Sequence, residues 1–345
     1  MRILLTGGGT LGSVSPLLAT IPQLQAQKHE VRFIGTYTGP ERSIVLQYHI
    51  SFYAILAPKF HRFLTWKHLL IPFEFFIAFF QSVVQLLRWR PDVIVSAGGF
   101  VSVPLVWVGW FLRIPAIIHQ QDLLPGMANK LMQPFAHNIT VAFENSLHYF
   151  PKNKTEWIGN PVRDLTPTTD VIHIDPAYRT VLIFGGGTGA MAINEFVGKQ
   201  LCEFVNVIHI IGKDRAGRMA HIVHPRYHQF KILGEEMKEA LQKADIVVCR
   251  AGIGTITELA TLGKPAIVIP MPHTHQEYNA AFLQKHHAAI ILSQVQLSSD
   301  SFQGQIQDLL NSKKTQSELS QNIMKLQKAQ ATILFVKKII HAVSQ

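Results

Sequence analysis

One junction occurs twice in this chain: an apolar run breaks directly into glycines at RILLTGGGTLG (2–12) and again at TVLIFGGGTGA (180–190). Such a run fits a strand turning sharply into a helix, because glycine adopts the tight-turn backbone and lets the main chain approach a ligand closely. Short apolar runs and helix-like segments alternate after each junction. SPLLATIPQLQAQ, EVRFIGT, DVIVSAGG, VPLVWVGWFL and PAIIHQQD follow the first, and VNVIHIIGK, YHQFKILG, ADIVVCRAG and PAIVIPMP the second. This order implies parallel strands joined by crossover helices, with loops gathered at the carboxyl ends of the strands. The fold class is therefore α/β, with two Rossmann-like domains facing across a cleft: residues 1–160 and 161–329. The Pro-, Thr- and Asp-rich stretch GNPVRDLTPTTDVIHIDPAYRT (159–180) reads as the linker between them. Residues 315–345 lack internal Gly or Pro and read as closing helices, of which 330–345 is expected to complete the first domain.

Composition agrees with two folded domains. The chain has 345 residues, 48% hydrophobic and 16% charged, enough apolar mass for two cores and no tract polar enough for disorder. Its formal net charge of +10 suits anionic partners, whether nucleic acid, phosphorylated small molecules or an anionic bilayer. No RNA-recognition signature, zinc-finger spacing or arginine-rich arm supports nucleic acid. Cys202 and Cys249 lie far apart in apolar segments, as reduced core thiols do, which favours the cytoplasm. The first residues lack the apolar core of a signal peptide.

LLIPFEFFIAFFQSVVQLL (69–87) is nearly long enough to cross a bilayer, but Pro72, Glu74, Gln81, Ser82 and Gln85 interrupt it, and charge inside a membrane core is costly. Lys59, Arg62, Lys67, Arg88 and Arg90 flank it. Cations beside Phe and Trp fit a helix lying on anionic headgroups; a buried helix with a solvated basic rim is the alternative.

The glycine loops point to anions. Gly7, Gly8, Gly9 and Gly12 leave N–H groups free at a helix start, where phosphate or a developing oxyanion is favoured. The spacing is not that of a dinucleotide fingerprint, and no Gly-Lys-Ser/Thr follows to make a P-loop. Gly187, Thr188 and Gly189, with Asn194 one helical turn on, repeat the geometry in the second half. CRAGIGTITELATLGKPAIVIPMPHTHQEYNA (249–280) is the most informative segment. Gly252 to Thr255 can open a helix toward a diphosphate, with Thr255 as its cap and Glu258 within reach of ribose hydroxyls. With His273, His275, Gln276 and Asn279 beyond the next strand, this reads as a nucleotide-sugar pocket. A two-histidine metal site at His273 and His275 lacks a third ligand at suitable spacing, and none is expected.

In order, GGTLGSVSP, SAGGFVSVP, HQQDLLPGMANKL, GNPVR, FGGGTGAMAIN and RAGIGTITELATLGKPAIVIPMPHTHQEYNA resemble the MurG family over nearly the whole chain. The resemblance implies a GT-B glycosyltransferase that moves N-acetylglucosamine from UDP-N-acetylglucosamine to undecaprenyl-pyrophosphoryl-N-acetylmuramoyl-pentapeptide (lipid I), giving lipid II in peptidoglycan synthesis. It implies inversion at the anomeric centre, no cofactor or metal, and a peripheral position on the cytoplasmic face of the membrane. The donor would sit mainly on the C-terminal domain, with Glu258 on the ribose and His275 and Gln276 on the sugar. Thr10, Gly12, Arg163, Gly187, Thr188, Gly189, Asn194, Arg250, Gly252, Thr255 and Asn279 complete the implied donor set. The lipid acceptor would meet Gly98, Gly99, Gln121 and Asn129, and the patch around 59–90 would meet an anionic membrane surface; no nucleic acid is implied.

Two departures bear on catalysis. The family's GGTGGH is here Gly8-Gly9-Thr10-Leu11-Gly12-Ser13, so a histidine that is a favoured base or relay has become a serine, whose hydroxyl cannot take a proton near neutral pH without a partner. The family's HEQN is His119-Gln120-Gln121-Asp122, so a carboxylate is lost at 120 and gained at 122. Asp122, together with His119, is expected to replace the missing base, and Ser13, His119 and Asp122 are the catalytic candidates. The alternatives are that Asp122 caps the following helix, and that the chain uses another acceptor or is a silent nucleotide-sugar-binding protein.

Overall fold

The structure is a computed structural model that describes residues 1–9, 12–57, 71–185, 191–212 and 222–343. The chain divides into two units, Met1–Arg163 with Lys328–Gln345, and Asp164–Gln327. Thr10, Gly187, Thr188, Gly189, Lys59, Arg62 and Lys67 lie outside the described residues.

The first unit is built on seven parallel strands: β1 (Arg2–Thr6), β2 (Glu30–Thr36), β3 (Ser51–Ile55), β4 (Val93–Ser96), β5 (Ala116–Gln120), β6 (Asn138–Val141) and β7 (Thr155–Trp157), in the order β3-β2-β1-β4-β5-β6-β7. Alternation along β1 sends Ile3 and Leu5 to one face and Leu4 to the other, where separate cores form. The helix Ala331–His341 returns from the end of the chain and buries Phe335, Val336 and Ile339 in the first of these cores. Its approach requires Gly159, at φ 80°, where a Cβ would stand 2.9 Å from that of Lys328 and 3.0 Å from that of Ala331.

The second unit has six parallel strands: β8 (Thr180–Phe184), β9 (Asn206–Ile210), β10 (Tyr227–Phe230), β11 (Ile246–Cys249), β12 (Ala266–Val268) and β13 (Ile290–Ile291), in the order β10-β9-β8-β11-β12-β13. Phe302, Ile306 and Leu309 of helix Ser299–Asn311 and Leu319 of helix Lys313–Lys325 complete its core. Cys202 and Cys249 are free and buried.

Residues 158–179 form neither helix nor strand, but the later part is clamped. The Glu239 carboxylate accepts from Thr169 Oγ1 and the N–H groups of Val171 and Ile172 at 2.7–3.0 Å, and pairs with Lys243. In each sheet the chain reverses its winding beside the first strand, between β1 and β4 and between β8 and β11. Ligands of open α/β sheets bind outside the carboxyl ends of strands at such points.

Candidate active site

In the first unit, the loops after β1, β4 and β5 meet. Gly9 takes φ 85°, and Gly98 and Gly99 take φ 107° and 89°, values that L side chains rarely adopt. The loops touch through bare backbone: a Cβ on Gly99 would lie 2.8 Å from Gly8 O and 3.0 Å from Gly8 N. Small hydroxyls hold the turn from below, with Gly98 N–H donating to Ser96 Oγ and Ser102 Oγ donating to Gly98 O. Ser13 is buried and donates its hydroxyl to Gly8 O at 3.1 Å. It staples the glycine loop and, while donating, takes no proton; Gly12 beside it is half-buried.

His119 is fully buried, with Nδ1 3.0 Å from Thr140 Oγ1 and Nε2 3.0 Å from Asn160 Oδ1. An amide oxygen only accepts, so Nε2 carries the proton and Nδ1 faces the threonine hydroxyl. Burial drives its pKa down to about 4, against a smaller upward pull from Asn160. Phe335 packs on the ring at 5.2 Å between centroids. A neutral imidazole enclosed this way positions the end of β5 rather than meeting a substrate. Asn160 and Thr140, which hold it, were not singled out from the sequence, although Asn160 sits in the quoted GNPVR.

Gln120 gains what the family glutamate lacks. Its Nε2 donates to Asp122 O at 2.8 Å and Leu124 O at 2.9 Å, while Oε1 accepts from Asn129 Nδ2 at 2.7 Å. Asn129 Nδ2 also donates to His119 O. Asp122 is thus held half-buried on a tied loop. It does not cap the next helix, Met127–Met132, whose cap residue is Gly126. Among the described residues, Gln121 Oε1 and Asn129 Oδ1 have no donor although both are buried, and Asn129 Oδ1 lies 3.8 Å from where a Gly98 Cβ would be. A buried acceptor left open beside a glycine turn, as Asn129 Oδ1 is, suits a hydroxyl or amide donor of a ligand.

In the second unit, the loops after β11 and β12 converge. Helix Ile253–Leu262 starts at Gly252, whose backbone is extended, and no side chain caps it. Thr255 stands inside the first turn rather than at the cap, its hydroxyl 3.9 Å from a Cβ position on Gly252. The first N–H groups of a helix lack internal partners and carry partial positive charge. Glu258 follows in the second turn of that helix, half-buried. Two of the expected donor residues are occupied in shaping this region. Arg250 gives Nη1 to Ile269 O and Pro270 O at 3.0 Å each, and Nη2 to Gln294 Oε1 at 2.6 Å. Asn279 is buried and donates to Ala251 O at 3.0 Å, fastening helix Gln276–Lys285 to the start of the glycine turn. Gln276 Oε1 accepts from Met271 N, and His275 and His273 are exposed on the same loop, His273 at φ 58°. Among the described residues, no three His, Cys, Asp or Glu side chains gather as metal ligands.

Asn194 turns inward. It donates to Ile211 O and accepts at Oδ1 from His209 Nε2, while His209 Nδ1 meets Tyr227 OH. Burial lowers the His209 pKa to about 4 and raises that of Tyr227, with Cys202 adding to the latter. The network braces helix Met191–Asn194 and engages both the nitrogen and the oxygen of the Asn194 amide. Arg163 is the last residue of the first unit before the chain enters the second, and is half-buried.

Known proteins match along the same two units. The glycosyltransferase family 28 N-terminal domain matches residues 3–141 and the family 28 C-terminal domain residues 180–333. A Lachnospira eligens protein named UDP-N-acetylglucosamine--N-acetylmuramyl-(pentapeptide) pyrophosphoryl-undecaprenol N-acetylglucosamine transferase is 33% identical over 89% of this chain and 90% of its own length. The crystal structure of Acinetobacter baumannii MurG superposes with a TM-score of 0.76 at 27% identity, covering 99% of each chain. The kitacinnamycin glycosyltransferase superposes at 0.79 with 14% identity over 99% of this chain and 98% of that one, a likeness of fold.

Proposed function

This chain belongs to glycosyltransferase family 28, and within it to the MurG family; on that premise we propose that it transfers N-acetylglucosamine from UDP-N-acetylglucosamine to the N-acetylmuramoyl group of a pyrophosphoryl-undecaprenol acceptor. One observation carries the donor side: the uncapped helix start at Gly252, placed at the winding reversal of the second sheet, with Glu258 in the second turn of that helix. Its N–H groups receive the diphosphate and stabilise the charge that develops on it as UDP leaves. Glu258 accepts from ribose hydroxyls, and His275 and Gln276 border the sugar. Arg250 and Asn279 shape the loops that hold these groups.

The acceptor belongs to the loops of the first unit. An acceptor hydroxyl forms its bond to the anomeric carbon while the bond to the UDP oxygen breaks, and its proton passes to a base. With Ser13 donating inward and His119 neutral and enclosed, Asp122 is the carboxylate left for that role. Gly98, Gly99, Gln121 and Asn129 orient the acceptor.

The first unit also carries the membrane contact. Of the 32 Lys and Arg and 22 Asp and Glu, it holds 17 and 7, and the second unit 15 and 15, so the whole net charge of +10 resides in the first. Helix Ile71–Trp89 is the one described helix long and apolar enough by length and composition to cross a membrane. It packs Ala78, Ser82 and Leu86 inward while Phe73, Phe76, Phe80, Val84 and Leu87 stand more than half exposed. Trp110 and Phe111 extend this apolar stripe and Arg88, Arg90 and Arg113 rim it, which suits a helix lying in an anionic interface on one leaflet.

Radiolabelled UDP-N-acetylglucosamine and lipid I distinguish the readings. Labelled lipid II is the expected product, whereas donor binding without transfer would favour a silent binding protein. Asp122→Asn is expected to lower kcat by about 100-fold or more with little change in donor affinity; undiminished transfer would remove Asp122 as base.

A further inference from the structure

One buried carboxylate has no part in this chemistry. Glu41 begins the short helix Glu41–Val45 beyond β2, and its side chain has no solvent exposure. Oε1 accepts from Thr36 N–H at 2.7 Å and from Thr36 Oγ1 at 2.6 Å, and that hydroxyl accepts from Gly39 N–H at 2.9 Å. Oε2 is buried with no hydrogen-bond donor among the described residues. An acceptor left open in the interior destabilises a fold, so a residue kept for stability alone would be satisfied or apolar.

Three glycines wall this carboxylate. A Cβ on Gly8 would stand 2.5 Å from Oε1, one on Gly35 3.0 Å from Cγ, and one on Gly39 would overlap Oε2. Gly8 does not have a positive φ, so contact with Glu41, rather than backbone conformation, demands glycine there. Gly8 is also the residue whose oxygen accepts from Ser13 and whose N and O face Gly99. The loop after β1 and the turn after β4 therefore both rest, through Gly8, on Glu41.

We propose that Glu41 is a positioning residue for the acceptor side of the reaction: its carboxylate sets the height of Gly8, and so aligns the first glycine loop with the Gly98–Gly99 turn. This rests on the reading that the first unit receives the lipid-linked acceptor. Glu41 touches no substrate and acts through the loop.

Steady-state kinetics of Glu41→Ala, which removes the contact with Gly8 that an isosteric glutamine would keep, test this. A positioning role predicts a fall of about tenfold in kcat/KM for the acceptor, with KM for UDP-N-acetylglucosamine within about twofold of wild type and a melting temperature within a few degrees. Acceptor kinetics equal to wild type would overturn it, as would equal losses for both substrates in step with lost stability. If Glu41→Ala does not fold, Gly8→Ala is compared alone and with Glu41→Asp, whose carboxylate draws back from the added methyl. The second change is expected to recover at least about threefold of the activity lost by Gly8→Ala, because residues in contact are not additive; no recovery would overturn the proposal. Absence of transfer by the wild-type protein would instead count against the functional reading. The Glu41–Gly8 coupling would then be read from melting temperatures, with a smaller drop for Gly8→Ala in the Glu41→Asp background expected and equal drops overturning it.

Discussion

At Gln120 one amide makes three hydrogen bonds, and two of them are donations to main-chain oxygens that a glutamate cannot make. From the sequence this position showed only a lost charge; in the structure it is the tie that holds Asp122 on its loop. Gln120→Glu is expected to set a carboxylate against Asp122 O and Leu124 O, costing ~1–3 kcal/mol and lowering transfer about tenfold, measured by thermal unfolding and lipid II formation. Unchanged stability and rate would show that the tie is dispensable. Glu239 gives a pH-dependent counterpart. Burial alone would raise its pKa, but Lys243, the N–H groups of Val171 and Ile172 and the Thr169 hydroxyl outweigh burial and hold it at about 2, against an ordinary 4.5. A folded-state pKa below the unfolded value stabilises fully above the unfolded value and is lost as pH falls through the folded one. The melting temperature is therefore expected to decline from near pH 4.5 toward pH 2, and Glu239→Gln to flatten that part of the curve.

At the scale of elements, strands follow the local pattern closely, while helices show what pattern omits. SPLLATIPQLQAQ, with its helical spacing, forms two pieces, Ser15–Leu18 and Ile21–Ala26, the second with Pro22 in its opening turn. Proline has no N–H to continue the preceding turn, so a helix starts there instead. The apolar segment from residue 71 is one unbroken helix whose two apolar faces have different fates. Ala78, Ser82 and Leu86 enter the core, and the phenylalanines opposite remain uncovered. Hydropathy is blind to that division because both faces are apolar. Burying a phenylalanine is worth ~1.5–3 kcal/mol, so Phe76→Ser with Phe80→Ser is expected to weaken binding to anionic vesicles by at least about tenfold, measured by co-sedimentation. Wild-type binding is expected to weaken as salt rises, since basic residues supply the rest. Vesicle binding of this double variant at the wild-type level would remove this helix as the membrane contact.

Across the whole molecule, the net charge of the sequence resolves into one strongly basic unit and one neutral unit once the return of the chain at Lys328 assigns the last residues to the first. The sequence by itself determined the two parallel-sheet units, the glycine turn after β1 and the family, because strand periodicity, glycine placement and motif order are properties of neighbouring residues. Only the tertiary structure decided which polar residues are free for chemistry. Asn160 closes on His119, Glu239 on Val171 and Ile172, Arg250 on Ile269 and Pro270, and Glu41 supports Gly8. Each pairing joins residues far apart in the chain, and a hydrogen bond or a close packing contact exists only when folding brings both partners to the same place.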